Sequence, residues 1–366
     1  MTPKQNTTLE RLFLLGRLFS PLYSCIMANR SNFYRNGLLK QHSLNVPVIS
    51  VGNLVLGGTG KTPLVLYIAR ILTRHGMKPA ILSRGYKGQA KAEVNVVADS
   101  TDILLDAVMA GDEPRLLAEK LPGIPVLTGK KRAVTGRFAI ASFASDALIL
   151  DDGFQHMAVQ RDLNLVLFSG QKLLGNGHVL PGGELREPLS ALKRADAFVI
   201  TGVDTPPEAN AGEFISFLKD SFPGKPVFIG FYQAENLIPR FSHGHQDTIS
   251  LKEARELAVY GFCGIAQPDS FKTTLNRSLK NLVGFHAFQD HHTYTPDNIF
   301  SLCKNAKDVG AGAMITTEKD YVKLRNLYNG DLPLLILPIL LTMEPDFDRY
   351  LLHRIKGISR RDPTKN

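Results

Sequence analysis

Val48-Ile49-Ser50-Val51-Gly52-Asn53-Leu54-Val55-Leu56-Gly57-Gly58-Thr59-Gly60-Lys61-Thr62-Pro63, followed at once by the apolar run LVLYIARIL at 64–72, is the stretch that decides how this chain folds. The opening VISVG has the apolar, β-branched character of a buried strand, and the closing run predicts a helix over 62–75. Strand, glycine-rich turn and helix, in that order, make a phosphate-binding loop. Glycines let backbone N–H groups turn inward around phosphate oxygens, Lys61 supplies a point charge for the β- and γ-phosphates, and the helix N-terminus adds the positive end of its dipole. Thr62 offers its hydroxyl to Mg²⁺. The candidate nucleotide site is therefore Gly57, Gly58, Thr59, Gly60, Lys61 and Thr62, with a nucleoside triphosphate and Mg²⁺ as the implied ligands. One residue departs from the general pattern G-x-x-x-x-G-K-[ST], which calls for glycine where this chain has Val55.

Outward from this loop, apolar runs alternate with helix-length amphipathic segments. Strands are predicted at 46–51, 79–83, 125–127, 147–150, 163–168 and 197–201, with helices at 62–75, 112–120 and 131–143. That alternation is the mark of an α/β domain, a mostly parallel sheet covered by helices. A stretch rich in Pro and Gly at 202–226 reads as a boundary. The pattern then restarts on a smaller scale, with strands at 227–232, 257–262, 282–285, 313–316 and 334–337 and helices at 267–279 and 296–309. The expected organisation is an N-terminal amphipathic membrane helix region at 1–40, a P-loop domain at 41–224, a second, smaller α/β domain at 225–345, and a basic C-terminal helix or tail at 346–366. A cleft between the two α/β lobes is the natural ligand site.

Charge and the N-terminus speak to partners. The chain has 366 residues and a formal net charge of +9, which predicts an anionic partner. Cations gather at the two ends beside apolar residues, which fits a membrane-surface footprint rather than a nucleic-acid groove, and no basic cluster is interleaved with aromatics. The segment LERLFLLGRLFSPLYSCIM at 9–27 carries Arg17 and Pro21 inside it, against both a spanning helix and a secretory signal. It reads as an interfacial amphipathic helix; a helix that caps the protein's own core is the plainer alternative. Cys25, Cys263 and Cys303 have no paired spacing, so neither a disulfide framework nor a zinc site is expected.

Further polar clusters fall at predicted strand ends. The apolar strand at 147–150 runs into Asp151-Asp152-Gly153-Phe154-Gln155-His156, where an acidic residue can hold Mg²⁺ beside the P-loop threonine. The others are Ser83-Arg84-Gly85-Tyr86, Gly111-Asp112-Glu113-Pro114, the segment LPGGELREP at 180–188, Phe262-Cys263-Gly264-Ile265, Asp290-His291-His292 and Thr316-Thr317-Glu318-Lys319-Asp320. A glycine before it and Glu113-Pro114 after it make Asp112 a candidate helix N-cap facing the strand-end surface.

These clusters, in this order and spacing, resemble the tetraacyldisaccharide 4′-kinase family of lipid A biosynthesis over about residues 9–324. The resemblance implies transfer of the ATP γ-phosphate to the 4′-hydroxyl of a lipid-linked glucosamine disaccharide 1-phosphate. It also implies an N-terminal helix seated on the cytoplasmic face of the bacterial inner membrane, and no nucleic acid or obligate protein partner is inferred. Under that resemblance Asp112 is the base that takes the hydroxyl proton, paired with His291 or His292, His291 being preferred. Asp151, Asp152 and Glu187 join Thr62 around the metal, though Glu187 could equally pair with Arg186. Arg84, Tyr86, Glu113, Gln155 and His156 are candidate substrate contacts. Glu318, Lys319 and Asp320 are expected either to hold the lobes together or to approach nucleotide, and no catalytic role is assigned to them. The alternative function is a membrane-associated P-loop ATPase of the partitioning or switch class. Those proteins carry an extra lysine at the loop's start, where this chain has Leu56.

Overall fold

The computed structural model describes residues 7–57, 60–202, 209–240, 247–325 and 327–356. Its strands are β1 (Val48–Asn53), β2 (Pro79–Ser83), β3 (Asn95–Ala98), β4 (Val126–Thr128), β5 (Ala147–Asp151), β6 (Leu163–Ser169), β7 (Ala197–Thr201), β8 (Val227–Ala234), β9 (Ile238–Arg240), β10 (Val259–Cys263), β11 (Leu282–Ala287), β12 (Ala313–Thr317), β13 (Leu334–Leu337) and β14 (Ile339–Met343). They form a nine-stranded sheet, β14-β8-β7-β6-β1-β5-β2-β4-β3, and a five-stranded sheet, β11-β10-β12-β13-β9. All pairings in the large sheet are parallel except those of its edge strands β3 and β14. In the small sheet only β9 runs antiparallel.

Central strands are apolar on both faces, because helices cover both sides of a parallel sheet. On β6, Leu163, Leu165 and Leu167 enter one core with Ile49, Val51, Leu64 and Ile68, while Val166 and Phe168 enter another with Phe154 and Phe198. The first core is closed by α3 (Lys61–Arg74), whose Leu64, Ile68 and Leu72 are fully buried at helical spacing. Two such layers fix β1, and with it the loop that follows.

Two boundaries differ from the sequence expectation. The second lobe is an insertion between neighbouring strands: the chain leaves the large sheet after β8, builds the small sheet, and returns as β14, where Ile339 pairs with Ala234. So β8, expected in the smaller domain, belongs to the large sheet. The C-terminal segment likewise returns to the main core: α11 (Pro345–Lys356) buries Phe347, Leu351 and Ile355 there, and Tyr67 Oη donates to Asp348 Oδ1 at 2.7 Å. The tail residues Arg360, Arg361 and Lys365 lie outside the described residues.

At the other end, α1 (Thr7–Gly16) and α2 (Ser20–Arg35) are seated on the large domain by polar contacts. Ser20 Oγ donates to Val179 O at 2.7 Å, and Tyr23 Oη to Arg186 O at 3.2 Å. Apolar side chains of the two helices and of the turn between them face solvent: Leu12, Leu14, Leu15, Leu18, Phe19 and Leu22 are all exposed, Leu18 to 81%. Among the described residues no helix is long and apolar enough to cross a membrane.

Candidate active site

The phosphate loop leaves β1 through Asn53, whose buried amide donates to Val55 O at 2.6 Å. The glycine missing at position 55 then has a physical reason. Val55 is fully buried and forms a β-bridge with Leu185, while Leu56 N donates to Glu184 O at 2.8 Å and Arg186 N to Leu54 O at 2.8 Å. The first half of the loop is an extended segment pinned by the 180–188 segment, so a β-branched residue suits it better than glycine. Only the second half turns. Gly60 has φ 83°, and a β-carbon there would collide with the Tyr232 hydroxyl. Gly58 and Thr59 lie outside the described residues. Lys61 and Thr62 open α3, so the helix's free N–H groups face the loop.

β5 lies beside β1 and ends at Asp151. Asp151 Oδ2 accepts from Ser83 Oγ at 3.0 Å; Oδ1 is buried, and among the described residues no group hydrogen-bonds to it. Burial, with the negative charges of Glu113 and Asp152 nearby, pushes this carboxyl well above the usual carboxylate range. Asp152, at φ 51°, is held differently: Lys61 Nζ lies 3.5 Å from Oδ1, and Arg186 Nη1 donates to both oxygens at 3.0 and 2.8 Å. Burial opposes its ionisation, but Lys61 and Arg186 prevail and keep it below the ordinary range. Adjacent aspartates thus have unlike environments, one bonded by a neutral hydroxyl with an oxygen left open and one held by two cations.

Glu187 does not pair with Arg186, one of the two partners expected for it. Both its oxygens accept from Arg194 Nη2 at 2.9 Å, and the carboxylate is 1% exposed. A metal at Glu187 would have to share these oxygens with Arg194 or displace it, while Arg186 bonds Asp152 instead.

Asp112 opens α5 (Asp112–Lys120), and the cap is Gly111 rather than Asp112 itself. Gly111 has φ 93°, and a β-carbon at this position would press on Tyr86 O. Freed from capping, the Asp112 carboxylate meets the second lobe: His291 Nδ1 lies 3.2 Å from Oδ2. Burial raises this carboxyl, but the bond to His291 and the charge of Lys323 outweigh it and hold it below the usual range. His291 is fixed at φ 59°, a left-handed conformation that costs a non-glycine residue about 1–3 kcal/mol. Its neighbour His292 does something else, bonding Asn298 Oδ1 at 2.9 Å and stacking on Phe288 at 4.3 Å. Geometry thereby separates the two histidines that spacing alone could not.

The remaining candidates surround these groups. Glu113 takes an ion pair from Lys319 at 3.4 Å and is close enough to raise Asp151, which links the Asp112 end of α5 to the Lys61 pocket. Tyr86 is exposed and meets the His291 ring edge-on at 5.8 Å; Arg84 is also exposed. Gln155 Nε2 donates to Asn53 O at 2.9 Å, behind the loop. His156 is held neutral, its pKa lowered to about 4 by burial and by Arg132, Arg161, Arg30 and Arg84. Sequence reasoning missed Arg132. It is 3% exposed at the start of α6 (Arg132–Phe143), electrostatically coupled to Asp151 and Asp152, and its Nε has no hydrogen-bond partner among the described residues. No motif marks it; only the β4–α6 turn at a sheet's C-terminal edge could have drawn attention to it.

A sequence model of the family described as Tetraacyldisaccharide-1-P 4′-kinase matches residues 12–356. A tetraacyldisaccharide 4′-kinase of Desulfotalea psychrophila is 46% identical over 341 residues, covering 93% of this chain and 96% of the relative. One from Syntrophus aciditrophicus is 40% identical over 354 residues, covering 94% and 93%. A crystal structure of LpxK from Aquifex aeolicus in complex with ATP superposes with a TM-score of 0.72 at 33% identity, covering 92% of this chain and 97% of that one. The mixed α/β architecture is the same, and with matches of this extent the chain belongs to the tetraacyldisaccharide 4′-kinase family.

Proposed function

We propose that this protein transfers the γ-phosphate of ATP to the 4′-hydroxyl of a tetraacyl glucosamine disaccharide 1-phosphate, a step of lipid A biosynthesis. Family membership carries the reaction, and the Asp112–His291 contact at 3.2 Å carries the assignment of its chemistry. A partitioning-type ATPase has no use for a carboxylate–imidazole pair built across two lobes.

In this reading the loop from Gly57 to Gly60 cradles the phosphates, and Lys61 neutralises the β- and γ-oxygens. Asp112 accepts the 4′-hydroxyl proton as the O4′–P bond forms and the bond to the ADP oxygen breaks; His291 aligns it. Tyr86, Arg84, Glu113 and His156 are assigned to the sugar, with Tyr86 exposed beside the dyad, while Gln155 backs the loop through Asn53 O. Among the described residues no group of three or more His, Cys, Asp or Glu side chains gathers to hold a metal. That suits Mg²⁺, which binds through one or two protein oxygens plus phosphate and water. The buried, unpartnered Asp151 Oδ1 and the Thr62 hydroxyl fit it; Asp152, occupied by Lys61 and Arg186, fits less well as a direct ligand. When bound, Mg²⁺ neutralises charge on the transferring group.

The exposed apolar side chains of α1 and α2 suit the cytoplasmic face of the inner membrane, where an acceptor with buried acyl chains resides. The test is the fate of label from [γ-³²P]ATP in detergent with the disaccharide 1-phosphate lipid. Transfer to the glycolipid supports the kinase. Release as inorganic phosphate with the lipid unchanged supports the ATPase instead.

A further inference from the structure

Three clusters singled out in the sequence have no part in the reaction as described: Phe262-Cys263-Gly264, Asp290-His291-His292 beyond His291 itself, and Thr317-Glu318-Lys319-Asp320. The structure brings them together. α10 (Glu318–Leu324) packs against α5 and carries Lys319 and Lys323 four residues apart, hence on one helix face. Lys323 Nζ lies 3.7 Å from Asp112 Oδ2, 3.4 Å from Asp320 Oδ1 and 3.1 Å from His292 O. Asp320, fully buried, is itself fixed by Gly264 N at 3.0 Å and Thr317 Oγ1 at 2.7 Å. Gly264 O in turn accepts from His291 N at 3.1 Å. Lys319 Nζ lies 3.4 Å from His291 Nε2, 3.4 Å from Glu113 Oε1 and 3.6 Å from Asp290 Oδ1.

Placing two cations beside a histidine and the carboxylate it orients has a chemical consequence. An ammonium can only donate, so Lys319 at 3.4 Å selects a lone pair on His291 Nε2, against the more distant Asp290 Oδ2 at 3.9 Å, which would favour a proton there. The ring proton then sits on Nδ1, the nitrogen facing Asp112 Oδ2. Lys323 reaches that same oxygen, which leaves Oδ1 as the atom for the incoming proton. We propose that Lys319 and Lys323 are positioning residues for phosphoryl transfer: Lys319 fixes the His291 tautomer, and Lys323 clamps the Asp112 carboxylate to the second lobe in its ionised form.

The proposal rests on Asp112 being the base. The groups facing Asp112 are His291, Lys323 and Lys319, with Glu113 beside it; Asp290 and Asp320 face the lysines. Lys323 and Lys319 both favour the charged carboxylate, so removing either moves the carboxyl pKa up and the acid limb of kcat/KM to higher pH.

Lys323→Met should lower kcat about 10- to 100-fold, the effect of a small misplacement of a reacting group, and raise the acid limb by about one pH unit. The KM for ATP should stay near native, and Lys323→Arg should restore the profile. For Lys319 the readout is ¹⁵N NMR of labelled histidine in the native protein at pH 8, which needs no variant to fold. The expected result is His291 protonated at Nδ1 and bare at Nε2, with mixed tautomers in Lys319→Met. A proton on Nε2 in the native protein overturns the Lys319 role. If Lys323→Met keeps the native pH profile while Asp112→Asn is inactive, the Lys323 role fails alone. An active Asp112→Asn overturns the base assignment and this proposal with it.

Discussion

Replacing Asp112 with asparagine keeps the shape of the side chain and removes its ability to take a proton. An asparagine carbonyl oxygen can still accept from His291 Nδ1, so the contact now at 3.2 Å need not be lost. A positioned general base contributes about 10²–10⁴-fold. At about 1.36 kcal/mol per decade, the substitution should raise the barrier by about 2.7–5.4 kcal/mol. ATP binding should be unchanged, because its determinants lie in the loop and at Lys61. The pH dependence has a definite sign. Asp112 is held below the usual carboxylate range, so in the free native enzyme the base stays ionised down to that range. The acid limb of kcat/KM attributable to it should therefore fall below about pH 4, the ordinary aspartate value. His291→Ala and the double variant complete a cycle. Because the two residues act as one unit, the double variant should lose little more than Asp112→Asn alone. Kinetics come from initial rates with the lipid acceptor, and affinity from equilibrium ATP titration. Near-native turnover in Asp112→Asn, or losses that simply add, would refute the dyad.

Three other outcomes follow from particular contacts. Val55→Gly restores the general P-loop pattern yet removes a fully buried side chain, so it should cost about 1.5–3 kcal/mol in thermal unfolding without improving ATP affinity. Glu187→Gln should lower the melting temperature, since it strands the charge of Arg194, while leaving the Mg²⁺ concentration dependence of turnover unchanged; a rightward shift in that dependence would restore Glu187 to the metal. Leu18→Ser with Phe19→Ser and Leu22→Ser removes three exposed apolar side chains, and sedimentation with anionic vesicles should fall at least tenfold while the melting temperature holds.

The local signals in the sequence were strong where they depended on neighbours in the chain. The strand before Gly57 and the helix after Lys61 needed only periodicity and composition, and Asp151 could be placed at a strand end from the apolar run before it. What escaped were partnerships over long separations. The return of β14 beside β8 joins segments more than a hundred residues apart, and neither strand carries a mark of its sheet. Val55 departs from the loop pattern because it bridges to Leu185, 130 residues away. Glu187 has cations within reach in sequence at Arg186 and Arg194, and only coordinates choose between them. Lys323 sits in an ordinary amphipathic turn, where a lysine is by default a solvated one. The choice of His291 over His292 turned on backbone conformation, with the left-handed residue reaching Asp112 while its neighbour packs on Phe288.

The proposed mechanism sets Lys61 and Asp112 on opposite sides of one transferring phosphoryl group. A crystal structure with a non-hydrolysable ATP analogue, Mg²⁺ and the disaccharide 1-phosphate bound together tests it most directly. The account predicts an Asp112 oxygen within about 2.6–3.2 Å of the acceptor 4′-oxygen, with Lys61 on the γ-phosphate facing it. An acceptor oxygen in line with the γ-phosphorus but out of reach of Asp112 would contradict it.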